Sequence, residues 1–164
     1  VRNVYLLRHA KSSWTDPNMD DHDRPLNARG RRSAAEVAET LRRKKIHPDL
    51  VLVSSAERTT ETVERLGLDV EVSSERRLYL ADAKKLLNRL RVLPDNVNTV
   101  LVVGHNPGIE QLVVALSRPE DKPLEGMPTA ALVGLTVDAA TWSNLEEHTA
   151  TPVGRWLHAG EKKK

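Results

Sequence analysis

Short aliphatic runs alternate with amphipathic stretches along nearly the whole chain, and this order restricts the fold more than any other feature. Val4–Leu7, Leu50–Val53 and Thr99–Val103 read as strands buried on both faces, being dominated by Val and Leu. Between them, apolar residues recur every three to four positions. That spacing predicts helices over Arg29–Lys45 (Ala34, Ala35, Val37, Ala38 and Leu41 on the apolar side), Ala56–Leu66, Asp82–Leu93 and Ile109–Leu116. Asn27 and Asp82 are N-cap candidates, while Pro48 and Pro94 bound the far ends of their helices. Val70–Val72 adds a short strand, Ala130–Val137 a late one, and Trp142–His148 a further candidate. Such an order predicts an α/β fold: a three-layer α/β/α sandwich on a mostly parallel central sheet. The last two strand candidates have no helix between them, which predicts an antiparallel edge strand. At 164 residues the chain suits one domain, expected over residues 1–160, with 161–164 as a frayed basic tail.

Composition removes several kinds of chemistry. The chain has no Cys, so disulfides, thiolate metal sites and Cys nucleophiles are excluded. It has no Phe and only 3% aromatic residues, which argues for an aliphatic core and against base-stacking platforms for nucleic acid. The net charge of +2 does not by itself indicate a nucleic-acid partner. No apolar run is long enough to span a bilayer and no signal-peptide pattern is present, so no membrane association and a cytoplasmic location are expected. The cluster Arg29, Arg31, Arg32, Arg42, Arg43, Lys44 and Lys45 reads as a solvated basic helix face that could also attract an acidic partner. Oligomeric state is left open.

Chemistry-bearing residues gather where strands end. In an open α/β sheet, ligands bind beyond the carboxyl ends of the strands. Arg8, His9, Ser54, Gly104 and His105 all fall at such ends. A neutral imidazole is a nucleophile toward phosphorus, and an arginine offers a planar fork for phosphoryl oxygens. Arg58 falls in the first turn of the second helix, aimed back at the strand ends. His105, if protonated, could stabilise the equatorial oxygens of a transition state. Asn106-Pro107-Gly108 leads into a helix start, where free backbone N–H groups favour anions. Phosphoryl transfer needs mainly positioning and charge stabilisation, which two arginines and two histidines can supply, so no metal and no cofactor are expected. Asp16, Asn18, Asp20 and His22 alternate as in a calcium loop. Asp21 and Asn27 occupy the positions that need Gly and Glu, so Asp16–Asp23 reads as a solvated loop. His22, His47, His148 and His158 show no shared spacing and receive no role.

Three segments carry a family resemblance. Arg8-His9-Ala10, Ser54-Ser55-x-x-Arg58-Thr59 and Gly104-His105-Asn106-Pro107 resemble, in order, the signatures of the histidine phosphatase superfamily. Arg8-His9-Ala10-Lys11-Ser12-Ser13-Trp14 and Asp23-Arg24-Pro25-Leu26-Asn27-x-Arg29-Gly30 are similar to the small SixA-like phosphohistidine phosphatases. The resemblance implies a phosphoglycerate mutase-like fold and a hydrolase with His9 as phosphorylated nucleophile. Arg8, Arg58 and His105 would complete the phosphate pocket, with Asn106 beside them as a substrate-binding residue. It also implies a phosphate-bearing substrate, foremost a phosphohistidine protein in a signalling relay. A phosphatase of a small metabolite or nucleotide, and a non-catalytic phosphate-binding module, stay open as alternatives. Many superfamily members carry an acidic proton donor after the third strand. This chain reads Arg77-Leu78-Tyr79-Leu80-Ala81-Asp82 there, and Asp82 is better read as a helix cap. A missing acid would suit a phosphoramidate and handicap an alkyl ester, whose alkoxide leaves poorly. Little sequence is spare for a lid, which predicts a shallow cleft unless Ser117–Thr129 folds over it.

Overall fold

The computed structural model describes residues 1–121 and 126–162. Six strands form one sheet: β1 (Arg2–Arg8), β2 (Leu50–Ser54), β3 (Glu71–Glu75), β4 (Thr99–Gly104), β5 (Leu132–Val137) and β6 (Ala150–Trp156). Their spatial order is β3-β2-β4-β1-β5-β6. The first four in that order are mutually parallel, while β5 runs antiparallel to β1 and β6 antiparallel to β5. Among the described residues, four helices cover the sheet: α1 (Ala28–Arg43), α2 (Glu57–Glu64), α3 (Ala83–Arg91) and α4 (Gly108–Leu116).

The two-residue strand period sorts the core into two layers. Val4, Leu6, Leu52, Val100, Val102, Val133 and Leu135 face α3 and α4, packing on Leu86, Leu90, Ile109, Leu112 and Leu116. Their neighbours Leu7, Val51, Val53, Leu101, Val103 and Leu132 face α1 and α2, against Ala34, Val37, Leu41 and Val63. This is the expected α/β/α sandwich. Both proposed caps form: Asn27 Oδ1 accepts from Gly30 N at 2.8 Å and Asp82 Oδ1 from Lys85 N at 2.9 Å.

One strand expectation is overturned. Trp142–His148 is not a strand; Trp142–Asn144 is a 3₁₀ turn and the last strand lies further on, at Ala150–Trp156. Trp142 is wholly buried, donating its indole N–H to Val97 O at 2.7 Å, so its apolar character serves an anchor. β6 carries Pro152 and Gly154, which weaken a strand pattern but are tolerated at a sheet edge, here beside a register shift at Gly134/Leu135.

The basic face of α1 is solvated as expected, with Arg29, Arg31, Arg42, Arg43, Lys44 and Lys45 exposed and Arg32 partly buried, and two of its arginines also bind the end of the described chain. Arg29 Nε donates to Ala159 O at 2.7 Å and Arg32 Nε to Gly160 O at 2.8 Å, holding the chain end against the helix. Of the expected tail 161–164, residues 163 and 164 lie outside the described residues, as do 122–125 of the Ser117–Thr129 segment. Among the described residues, no helix is long and apolar enough to cross a membrane.

Candidate active site

Parallel pairing places Arg8 of β1 opposite Gly104 of β4, so His9 and His105 leave adjacent strand ends together. Their ring centroids are 5.3 Å apart. β2, on the other side of β4, ends at Ser54, and α2 starts at Glu57, which puts Arg58 in its first turn. Thr62 fastens that turn to β1: its hydroxyl donates to Arg58 O at 2.6 Å and accepts from Ala10 N at 3.1 Å. Arg8, His9, Arg58, His105 and Asn106 all line one cavity of about 260 Å³, completed by Lys11, Ser12, Trp14, Asp21, Leu80 and Thr129. Every site residue expected from the sequence is therefore in one place.

The partners of each ring determine which nitrogen carries hydrogen. His9 Nδ1 lies 2.7 Å from Ala10 O, which can only accept, so Nδ1 bears the hydrogen and Nε2 keeps its lone pair. Arg58 Nε donates toward that lone pair at 3.4 Å. Arg58 Nη2 also donates to His105 Nδ1 at 3.2 Å, and since a guanidinium cannot accept, Nδ1 is the acceptor there. His105 Nε2–H then donates to the buried Ser54 hydroxyl at 2.7 Å.

Burial, followed by the nearby cations, pushes His9 down to about 4; for His105, burial and the neighbouring His9 and Arg58 push it to about 3. His105 is thus neutral in this geometry at physiological pH, so the condition attached to its transition-state role, that it be protonated, is not met in the free cleft. Proton binding at both rings is suppressed by folding. The unfolded chain takes up protons below about pH 6.5 that the native cleft refuses, so stability should fall as the pH drops from there toward 4. A bound dianion would reverse the local balance. Sulfate, whose charge is constant between pH 5 and 8, should bind with proton uptake. Its Kd should tighten as the pH is lowered across that range, by up to about tenfold per unit for one proton. A pH-independent Kd in calorimetry would contradict the arrangement.

Arg8 and Asn106 flank the rings. Arg8 Nη1 and Asn106 Nδ2 both donate to Met127 O, at 3.2 and 2.9 Å, and Glu110 of α4 accepts from Met127 N. Arg8 Nε and Asn106 Oδ1 are buried without a protein partner among the described residues. Residues 126–129 of the Ser117–Thr129 segment thus border the cleft at Met127 and Thr129. Trp14 and Leu80 edge it while remaining 65% and 56% exposed, and the Arg24 guanidinium stacks 3.8 Å from the centre of the Trp14 ring.

Sequence reasoning missed Asp21 and Tyr79. Asp21 was expected in a solvated loop, but it belongs to the 3₁₀ turn Asp21–Asp23 and lines the cleft. Arg58 Nη1 donates to Asp21 O at 2.7 Å and Nη2 to Oδ2 at 2.9 Å, while the Tyr79 hydroxyl donates to the same Oδ2. Partial burial alone would raise the Asp21 carboxyl, yet these bonds and the Arg58 charge hold it below the usual range, so it is ionised. A signal existed: a buried arginine needs an acceptor, and Lys11–Leu26 is a long acidic loop leaving the same sheet edge. His22, given no role, bonds Ser55 Oγ at 2.9 Å and meets the Tyr79 ring edge-on. His158 is a buried structural residue held by Thr40 and Ala130. Asp82 caps α3 and does not line the cleft. Among the described residues, no group of three or more His, Asp or Glu is placed to hold a metal ion.

Comparison with known proteins agrees with this geometry. Residues 4–82 match the family model described as histidine phosphatase superfamily (branch 1). An uncharacterised protein of Mycobacterium tuberculosis is 35% identical over 155 residues, spanning 90% of this chain and 97% of the relative. Phosphohistidine phosphatase SixA of Escherichia coli is 29% identical over 141 residues, 82% of this chain and 85% of that protein. A solved protein of Nakamurella multipartitia assigned as a phosphohistidine phosphatase SixA superposes with a TM-score of 0.83 at 28% identity, covering 96% of both chains. The protein histidine phosphatase SixA complexed with tungstate superposes at 0.79 with 25% identity, covering 94% of this chain and 96% of that one. The chain belongs to the histidine phosphatase superfamily, and its fold is that of the SixA-like members; together these findings support a phosphatase.

Proposed function

From that membership we propose that the chain is a metal-independent phosphatase acting through a phosphohistidine on His9, with protein phosphohistidine as its substrate. The observation that carries the reading is the locked His9 tautomer. Nδ1–H is committed to Ala10 O, so the Nε2 lone pair faces the cleft beside Arg58 and His105. His9 Nε2 attacks phosphorus in line, the substrate P–N bond breaks, and the departing imidazole nitrogen takes up a proton from solvent. Arg8, Arg58 and His105 hold the phosphoryl oxygens through this step, Asn106 borders them as a substrate-binding residue, and His105 gains a proton as the dianion arrives. Water then attacks the His9 phosphoramidate, releasing inorganic phosphate and restoring the imidazole.

The substrate class follows from what the cleft offers a leaving group. Asp21 is the one carboxylate among its described lining residues, and it is ionised and engaged by Arg58 and Tyr79. With no poised acid, a protonatable nitrogen leaves more readily than an alkoxide. The exposed Trp14 and Leu80 at the rim suit a phosphoryl group delivered on a protein surface. That a solved SixA relative forms a complex with the oxyanion tungstate supports an anion-binding reading. The test is phosphate release, with EDTA present, from a phosphohistidine-bearing phosphotransfer domain and from alkyl phosphates and nucleotides. The expected result is a strong preference for the P–N substrate. Efficient turnover of a simple alkyl phosphate or a nucleotide would move the function to a small metabolite.

A further inference from the structure

Arg58 presents two distinct edges, and the structure uses them differently. The Nη1–Nη2 edge is occupied by Asp21, through its backbone oxygen at 2.7 Å and Oδ2 at 2.9 Å. Nε and Nη2, which share the other edge, face His9 Nε2 at 3.4 Å and His105 Nδ1 at 3.2 Å. That second edge is where a phosphoryl group between the two rings would meet the guanidinium. Tyr79 backs the arrangement: its hydroxyl donates to Asp21 Oδ2 and its ring stands edge-on to His105, centroids 5.4 Å apart. The turn carrying Asp21 is tied to the start of α2 through His22 and Ser55.

We propose that Asp21 and Tyr79 are a positioning pair that holds one edge of the Arg58 guanidinium, so that its other edge faces His9 and His105 and fixes which nitrogen of His105 is free. Neither residue touches phosphorus; both act through Arg58. A bidentate acceptor is needed because a guanidinium held by one bond can pivot, whereas two parallel bonds fix its plane. The pair comes from two segments far apart in sequence, the loop after β1 and the turn after β3. The proposal rests on the phosphatase reading for its kinetic consequence but not for its structural one.

The test compares Asp21→Asn and Tyr79→Phe with the wild type in three measurements. These are ¹⁵N NMR of the His9 and His105 tautomers, sulfate affinity, and the single-turnover rate of phosphoryl transfer to His9 from phosphoramidate. Asp21→Asn removes a negative charge beside an anion site, so sulfate should bind as well or more tightly. The transfer rate should nonetheless fall by roughly tenfold or more, because a displaced guanidinium no longer meets the reacting group. Both variants should broaden or mix the His105 tautomers while His9, held by Ala10 O, keeps its own, and Asp21→Glu should recover part of the rate. A loss of sulfate binding in step with thermal stability would mark a merely structural role and overturn the proposal, as would wild-type tautomers and rates in both variants. Should the wild type itself place no phosphate on His9, the phosphatase reading fails while the tautomers still decide the role of the pair. Tyr79→Phe, the milder change, decides the matter if Asp21→Asn does not fold.

Discussion

Replacing His9 by Ala should lower phosphate release by on the order of 10⁴-fold or more, while sulfate still binds. The expectation follows from the division of labour in the cleft. His9 supplies the lone pair that displaces the leaving nitrogen, and no other described nucleophile is aimed the same way. Its nearest ring, His105, has Nδ1 facing the Arg58 guanidinium and Nε2–H on Ser54. The cations remain in the variant, because Arg8 is held by Met127 O and the Arg58 guanidinium by Asp21 and His105 as well as by His9. The variant therefore separates binding from chemistry. A fall of only a few-fold would mean that His9 is one ligand among several and that phosphoryl transfer goes directly to water.

The second large effect is on the fold. Gly108 opens α4 three residues after His105, and a Cβ there would collide with the Ala81 carbonyl oxygen and crowd the Asp82 Cα at 3.4 Å. Both are backbone, immediately before α3, and neither can swing aside as a long side chain would. Gly108→Ala should thus cost about 3 kcal/mol in chemical denaturation, the upper part of the overpacking range. Relief would push the start of α4 away from α3 and drag the His105 segment with it, so activity at moderate temperature should fall too. A cost under about 1 kcal/mol would show that the α3–α4 contact yields more easily than its geometry implies.

How much of this could be read from the chain depends on whether a feature is local. Helix caps at Asn27 and Asp82 depend on three or four consecutive residues, and both are visible in the sequence. The gathering of Arg8, His9, Arg58 and His105 follows from parallel strands ending in register, once the βαβ order is recognised. β6 was hidden because Pro152 and Gly154 mask an edge strand whose pairing is decided by β5, while Trp142 imitated a strand by being buried for another reason. Asp21 and Tyr79 are 58 positions apart, and only the folded loop brings them to one carboxylate oxygen. The protonation of His105 was equally out of reach, since it depends on burial and on a guanidinium fixed from outside the motif.

The central claim is a covalent phosphoryl group on His9. The most direct measurement is to mix the protein with a ³²P-phosphohistidine phosphotransfer domain for a single turnover, quench in alkali and map the label by mass spectrometry. The account predicts an alkali-stable, acid-labile phosphoryl group on the peptide carrying His9, absent in His9→Ala. Phosphate release with no trapped intermediate, or with the label on His105, would contradict it.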